Sequence, residues 1–442
     1  MTIQPTMLKG ARAPAEERIA DLFSEATAGL PGSSVPSVGA WRTANMEAFF
    51  ALGLPSRRIE AWKYTDLRAR MPRLHALAGL LPSRAQVDLE DAIGIALARL
   101  DCYRAVFVDG QFREELSTVG NVPGVEFDTL RAAFGDERSA APVVEKLAPK
   151  RGDTIAQLAA AFATDGALIS IAPNAKLGKP LHLVFIGGKT APRLASLQNA
   201  VWVGEGAQVT LIETHFGGTD AQTFIASRIG LAARAAVRHV RFTAGSALHL
   251  ASTAVELASQ SDYLSLQLAL GGGLTRAETE IRFVGERARC HYAGAMLLRD
   301  ASHTDFTLAV EHAAPACESR ELAKAVLDGR GHGVFQGKVI VQRAAQKTDG
   351  KQMARALLLS DEAEFDAKPE LEIYADDVVC GHGATAGQLD EELMFYLKAR
   401  GIPEAQARAL LVSAFVGEVL DKIEDEGLRG ALQEKVDDWL SA

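Results

Sequence analysis

A chain of 442 residues, 48% apolar and 23% charged, is long enough for a large buried core and for more than one domain. Its net charge of −9, from 47 Lys+Arg against 56 Asp+Glu, argues against a general nucleic-acid or anionic-membrane surface. No run of apolar residues reaches the length of a membrane-spanning helix, and Glu16 and Glu17 interrupt any signal-peptide core, so the cytoplasm is the expected location.

The first 150 residues read as a mainly helical domain. Apolar residues recur at helical spacing from Ala15 to Phe23, and Pro31-Gly-Ser-Ser-Val-Pro breaks the pattern. A second helix is expected from Val38 to Leu52, stopped by Gly53 and Pro55. The stretch Arg57-Arg-Ile-Glu-Ala-Trp-Lys-Tyr-Thr65 sets aromatic residues between charges, which suits a packed amphipathic turn or a contact surface. A short strand is expected over Tyr103–Asp109. A linker or subdomain edge is expected over Ser139–Thr154, and a short helix over Ile155–Ala163.

From about Gly166 to Thr385 the pattern changes to short β-type runs bounded by turns, such as Leu181–Ile186, Val209–Glu213, Leu264–Leu268 and Gly337–Val341. Val203-Gly-Glu-Gly-Ala-Gln-Val-Thr-Leu resembles Val284-Gly-Glu-Arg-Ala-Arg-Cys-His-Tyr. With Leu231 and Leu257 between them, the anchors fall about 27 residues apart. Short strands at a near-constant interval favour a β-helix, or β-solenoid, with a large β-sandwich as the alternative. Each coil buries its apolar face only against the next, so the ends leave strand edges exposed. Residues 386–442 form a helical unit, with Pro403 opening one helix and another over Leu428–Leu440. Its apolar stripe serves either internal packing or the docking of a partner.

Two glycine–lysine pairs imitate phosphate loops, but Leu183 and His332 stand where the first glycine is required, so no intrinsic ATPase is expected. Cys102, Cys290, Cys317 and Cys380 are far apart and form no CxxC motif. They read as small buried residues rather than a disulfide framework. His291, His303 and His312 lack the spacing of a helical metal site and read as surface or hydrogen-bonded core residues.

The Cys380-Gly-His382 pair is different. The run Leu-Glu-Ile-Tyr-Ala-Asp-Asp-Val-Val-Cys380 is expected as a strand that ends at this pair, followed by a glycine-rich turn and a helix. Residues i and i+2 of a strand share a face, so thiol and imidazole would lie side by side, with Gly381 admitting a close neighbour. Thiolate and imidazole suit zinc, ferrous iron or a sulfur acceptor, but two groups do not close a metal site. Glu370, Glu372, Asp376 and Asp377 surround the pair. They are either solvated edge charges or the acid–base carboxylates of a β-helix carbohydrate-active enzyme.

The segment from Ala345 to Ile402, with Ser319-Arg-Glu, Val334-Phe-Gln-Gly-Lys-Val-Ile-Val and the Trp62–Tyr64 signature, resembles the SufB/SufD family of iron–sulfur cluster assembly proteins. The Cys-x-His-Gly-Ala-Thr run and the chain length point to the SufD-type branch. The resemblance implies a right-handed parallel β-helix between helical ends, and a non-catalytic scaffold with no cofactor of its own. It implies pairing with SufB through the open β-helix end and an ATPase, SufC, on the C-terminal helices. An isolated chain could pair with its own copy through the same edge. His382 matches the family histidine at that junction and Cys380 the accompanying cysteine, as transient ligands of iron or of an iron–sulfur cluster. Gly381 departs from the serine expected in relatives.

Overall fold

The computed structural model describes residues 13–80, 86–187 and 191–441. The expected absence of a leader in residues 1–12 and the end of the first false phosphate loop, Gly188–Thr190, lie outside the described residues.

The molecule is mainly β, with helices at both ends. Two sheets run its length. From Leu194 onward, consecutive strands fall alternately into one sheet and the other, and each pairs in parallel with the strand two before it. That connectivity is a parallel β-solenoid with two strands per coil. Successive coils stack in register: Val203, Leu231, Leu257, Phe283, His312, Val341 and Ile373 form one row. The fourth anchor is therefore Phe283, not Val284, whose side chain is exposed. The coil length also changes, from 28 residues down to 26 and then up to 32, so a fixed period describes only the middle of the core.

Alternation sorts the side chains. Phe185, Val201, Ile229, Val255, Ile281, Phe306 and Leu308 fill the interior. A polar girdle lies among them. Arg241 Nε is 3.2 Å from Glu213 Oε2, and His215 Nε2 and His239 Nε2 stand 3.2 and 3.3 Å from the same carboxylate. Burial opposes ionisation of Glu213, but Arg241 and the two imidazoles outweigh it and hold its carboxyl well below the usual range.

Both outer faces are covered. The helix Thr154–Phe162 is buried throughout against one sheet, where Ser196 donates to the Ala159 carbonyl at 3.0 Å. The helices Glu404–Leu420 and Glu426–Ser441 lay Val412, Val416, Leu428 and Leu432 over Val240, Leu266, Leu297 and Val326 of the other. Their apolar stripe is thus internal packing. Within the first 150 residues, Tyr103–Val108 and Val125–Thr129 join the two sheets as strands. The expected linker over Ser139–Thr154 is largely helix, Glu137–Lys146. The Asp136 side chain accepts from the Ser139 N–H, and Ala140 packs with Trp41 and Phe134, so an Ala/Pro-rich composition concealed a capped helix.

The stretch around Trp62 is a packed turn. Trp62 and Thr65 are buried against the outside of the solenoid, and the Arg276 guanidinium lies 3.7 Å from the Trp62 ring centre.

The two ends differ. The first coils are capped by the antiparallel strands Gln111–Phe112 and Val125–Thr129. At the other end Glu364–Ile373 and Val379–Gly387 are the last strands of their sheets, and among the described residues nothing pairs with their outer edges.

Candidate functional site

The open end carries the sequence-predicted pair. The strand bounds correct the expectation, because Leu371–Cys380 is not one strand. Glu364–Ile373 ends, Ala375 turns inward, and a new strand runs from Val379 to Gly387. The turn is fixed by the Asp377 N–H donating to Gln346 Oε1 at 2.9 Å and by Lys347 N–H donating to the Asp377 carbonyl at 2.6 Å. Cys380 and His382 therefore open an edge strand rather than close one. The glycine-rich run after them is β, in register with Asp349–Leu358.

The two side chains do share a face. Cys380 is level with Gly350 and Ser319, and packs against the small cluster of Val339, Val341 and Ala375. His382 continues the interior row Tyr292, Glu321, Gln352, but as the last member it is exposed. On the outward side the space beside Gly381 is open: a side chain there would meet nothing within 4 Å. Burial raises the Cys380 thiol above its ordinary range, aided by the charges of Asp349 and Glu321 and opposed by the Gly350 N–H. A cation arriving at this thiol must displace its proton.

Behind the pair lies a cleft of about 570 Å³ that Glu321, Gln352, Cys380 and His382 help to line. Glu321, quoted in the sequence only within Ser319-Arg-Glu, and Gln352 were not expected as site residues. Gln352 donates to Glu321 Oε2, while Glu321 Oε1 has no hydrogen-bond partner among the described residues. Gly337 makes room for this amide: a Cβ there would stand 2.0 Å from Gln352 Nε2. The only signal that could have found them is their spacing to His382, one coil and two coils back.

Burial pushes the Glu321 carboxyl up to about 7, against the hydrogen bonds from Gln352 and Ser319. The folded state holds this proton while the unfolded chain releases it in the ordinary glutamate range, so stability falls as pH rises from about 4.5 to 7. Glu321→Gln should remove that loss and be the more stable protein at pH 8, by on the order of 3 kcal/mol. Urea denaturation at pH 5 and pH 8 reads this, and a variant less stable than wild type at both would contradict it.

The carboxylates proposed for an enzyme do not converge. Glu370 pairs with Lys368 at 3.1 Å, Glu372 with Lys338 at 2.6 Å, and Asp377 with Lys347. Asp376 is exposed in the turn. Each of these three carboxylates is paired with a lysine, Lys368 being shared between Glu370 and Glu60, which is a solvated face rather than an acid–base pair. Among the described residues, no group of three or more His, Cys, Asp and Glu is placed to hold a metal ion. Cys380 and His382 would need further donors from beyond the described residues.

His303 and His312 are hydrogen-bonded core residues, while His291 is half-buried and helps to line the cleft. His312 bonds Ser319 Oγ at 3.1 Å and stacks on Phe283. Of the four cysteines expected to be buried, Cys290 and Cys317 are, whereas Cys102 and Cys380 are only half-buried.

Residues 185–415 match the family model described as the SUF system FeS cluster assembly, SufBD core domain, and residues 13–183 match the SufBD protein N-terminal region. The chain belongs to the SufBD family. An iron–sulfur cluster assembly SufBD family protein of Synechocystis is 33% identical over 404 residues, covering 87% of each chain. The iron–sulfur cluster assembly protein SufD of Escherichia coli is 31% identical over 393 residues, 87% of this chain and 89% of its own. A SufBD family protein of Mycobacterium tuberculosis is 30% identical over 84% of this chain and 86% of its own. The SufBD core model thus spans the solenoid coils and the open end with Cys380 and His382. No described helix is long and apolar enough to cross a membrane.

Proposed function

We propose that this SufBD protein is a non-catalytic scaffold subunit on which iron–sulfur clusters are built. It pairs through the strand Val379–Gly387 with a SufB chain, and Cys380 and His382 supply half of a transient site for iron or for a cluster. The observation that carries the reading is the position of these two side chains, side by side on an edge strand that nothing among the described residues completes.

The two open edges are not equivalent. Glu364–Ile373 carries Pro369 in its middle and Asp366, Lys368, Glu370 and Glu372 along it, features that discourage strand pairing. Val379–Gly387 reads VCGHGATAG, without proline or fixed charge. Tyr374 and Val379 are also exposed at 58% and 62%. An uncharged edge beside exposed apolar side chains suits a second β-solenoid end, either a SufB chain or, in isolation, a second copy. The sister chain then adds the donors that the pair lacks.

An ATPase, SufC in this family, is assigned to the C-terminal helical unit. The helices Glu404–Leu420 and Glu426–Ser441 are committed to the solenoid, so the free face is that of Glu391–Ala399. That helix buries none of its residues and leaves Phe395 exposed at 74%, beside Leu393 and Tyr396. Phe395→Asp should abolish co-purification of the ATPase and leave thermal unfolding of the isolated chain unchanged. Retention of the ATPase by this variant would move the docking face elsewhere. The native complex tests the whole reading: a tagged chain recovered with neither a SufB-type sister nor an ATPase is not a scaffold subunit of this kind.

A further inference from the structure

The segment Glu60–Thr65 is fastened to the solenoid wall by a row of hydrogen-bonded groups that runs inward from Asp366 on the edge strand Glu364–Ile373. His332 Nε2 lies 2.8 Å from Asp366 Oδ2. His332 Nδ1 lies 3.1 Å from His303 Nδ1. His303 Nε2 lies 2.8 Å from Thr65 Oγ1, and Thr65 Oγ1 lies 2.5 Å from Asp305 Oδ2. Each of these four gaps is a hydrogen-bond distance and needs one hydrogen in it.

The row does not own enough hydrogens. A neutral imidazole brings one, a hydroxyl brings one, and an ionised carboxylate brings none. Two rings and one hydroxyl supply three hydrogens for the four gaps. Asp305 Oδ2 is bonded by the buried Arg276 guanidinium and accepts from the Thr65 hydroxyl as well, which commits the Thr65 hydrogen to it. The His303 ring must then donate from Nε2 to Thr65. His332 donates from Nε2 to Asp366. Two Nδ1 lone pairs are left facing each other at 3.1 Å.

We infer that the row Asp366–His332–His303–Thr65–Asp305 holds one proton more than its neutral rings and ionised carboxylates provide, and that this proton latches the Glu60–Thr65 segment to the solenoid. The surroundings set where it resides. Burial, with His332, Arg70 and Arg276 as neighbours, pushes His303 down to about 2. The extra proton therefore sits toward His332 and Asp366, the half-buried end of the row, where Glu364 Oε2 also stands 3.9 Å from His332 Nδ1. Arg276 and Glu278 flank the far end behind Asp305. Lys368, bonded to Glu60, supplies the next contact along the segment. Proton loss at rising pH leaves one gap unfilled, so the two rings must separate and the segment loosens. The direction distinguishes it from the buried neutral histidines. His182 and His312 are pushed down to about 3 and about 4 by burial, and they destabilise the fold on acidification instead.

The test is local. Trypsin cleavage after Lys63, between the docked Trp62 and Thr65, is measured on the full chain from pH 6.5 to 8.5, with the protease rate normalised on a small substrate. Wild type should become more susceptible with pH, by up to about tenfold per unit. His332→Gln, which cannot carry the proton, should show no such slope, and equal slopes in the two proteins would overturn the latch. Should that variant not fold, histidine-selective nitrogen NMR of wild type decides the matter. A His332 ring protonated at both nitrogens at pH 6.5 supports the latch. Two neutral rings, or a transition metal found bound between them in stoichiometric amount, overturns it.

Discussion

Arg276→Ala should cost about 3–5 kcal/mol of folding stability, the range for stripping one partner from a buried ion pair. Arg276 is fully buried and joins two parts of the chain that are far apart in sequence. It pairs with Asp305, reaches Glu278 at 2.6 Å, donates to the Ala61 carbonyl at 2.7 Å and stacks on Trp62. Burial disfavours its charge, but Asp305 and Glu278 outweigh burial and keep the guanidinium protonated. Removing it leaves the Asp305 carboxylate buried with only the hydroxyls of Thr65 and Thr307 as donors. It also removes the platform under Trp62. The loss is therefore an uncompensated charge plus a lost cation–π contact, the latter on the order of 2 kcal/mol when desolvated. A double variant, Arg276→Met with Asp305→Asn, removes the fully buried pair together, leaving the partly exposed Glu278 without its arginine, and should recover part of the stability. Urea denaturation of the three proteins measures this. A single-variant loss below about 1 kcal/mol would mean that the contact does not hold the N-terminal segment to the solenoid.

The coil architecture was legible because β-alternation and turns recur at an interval set by two strands and two turns. What the interval could not supply was register. Val284 and Phe283 are both apolar, and only pairing with Leu257 shows that Phe283 faces inward. Cys380 and His382 were legible as a same-face pair because side-chain alternation along a strand is local. The turn before them was not, because Ala375 is an apolar residue buried in a turn, which makes Leu371–Cys380 read as one apolar run. Glu321 and Gln352 became visible only once their coils were stacked under His382. The row from Asp366 to Asp305 has the same origin. His303 and His332 are register partners one coil apart, and Thr65 arrives from 238 residues away. Polar groups that satisfy one another across coils leave no pattern in a single stretch of sequence. The helix Glu137–Lys146 was hidden for a different reason, since Pro142 within it suppresses the helical reading that the Asp136 cap enforces.

In the proposed scaffold His382 acts at a completed junction rather than holding the fold. His382 is the last, exposed member of its row, and space is open beside Gly381, so His382→Ala removes an imidazole without hollowing the core. Stability of the chain and its recovery with partner subunits should therefore be unchanged. Loss of the imidazole leaves Cys380 alone, a thiol raised by burial that releases its proton reluctantly and cannot hold iron by itself. Iron and acid-labile sulfide on the native complex purified without air are the decisive measurement. The complex carrying His382→Ala should assemble in full yet hold several-fold less of both than the wild-type complex. Equal iron and sulfide in the two complexes would make His382 a bystander on an edge strand and would contradict the central claim.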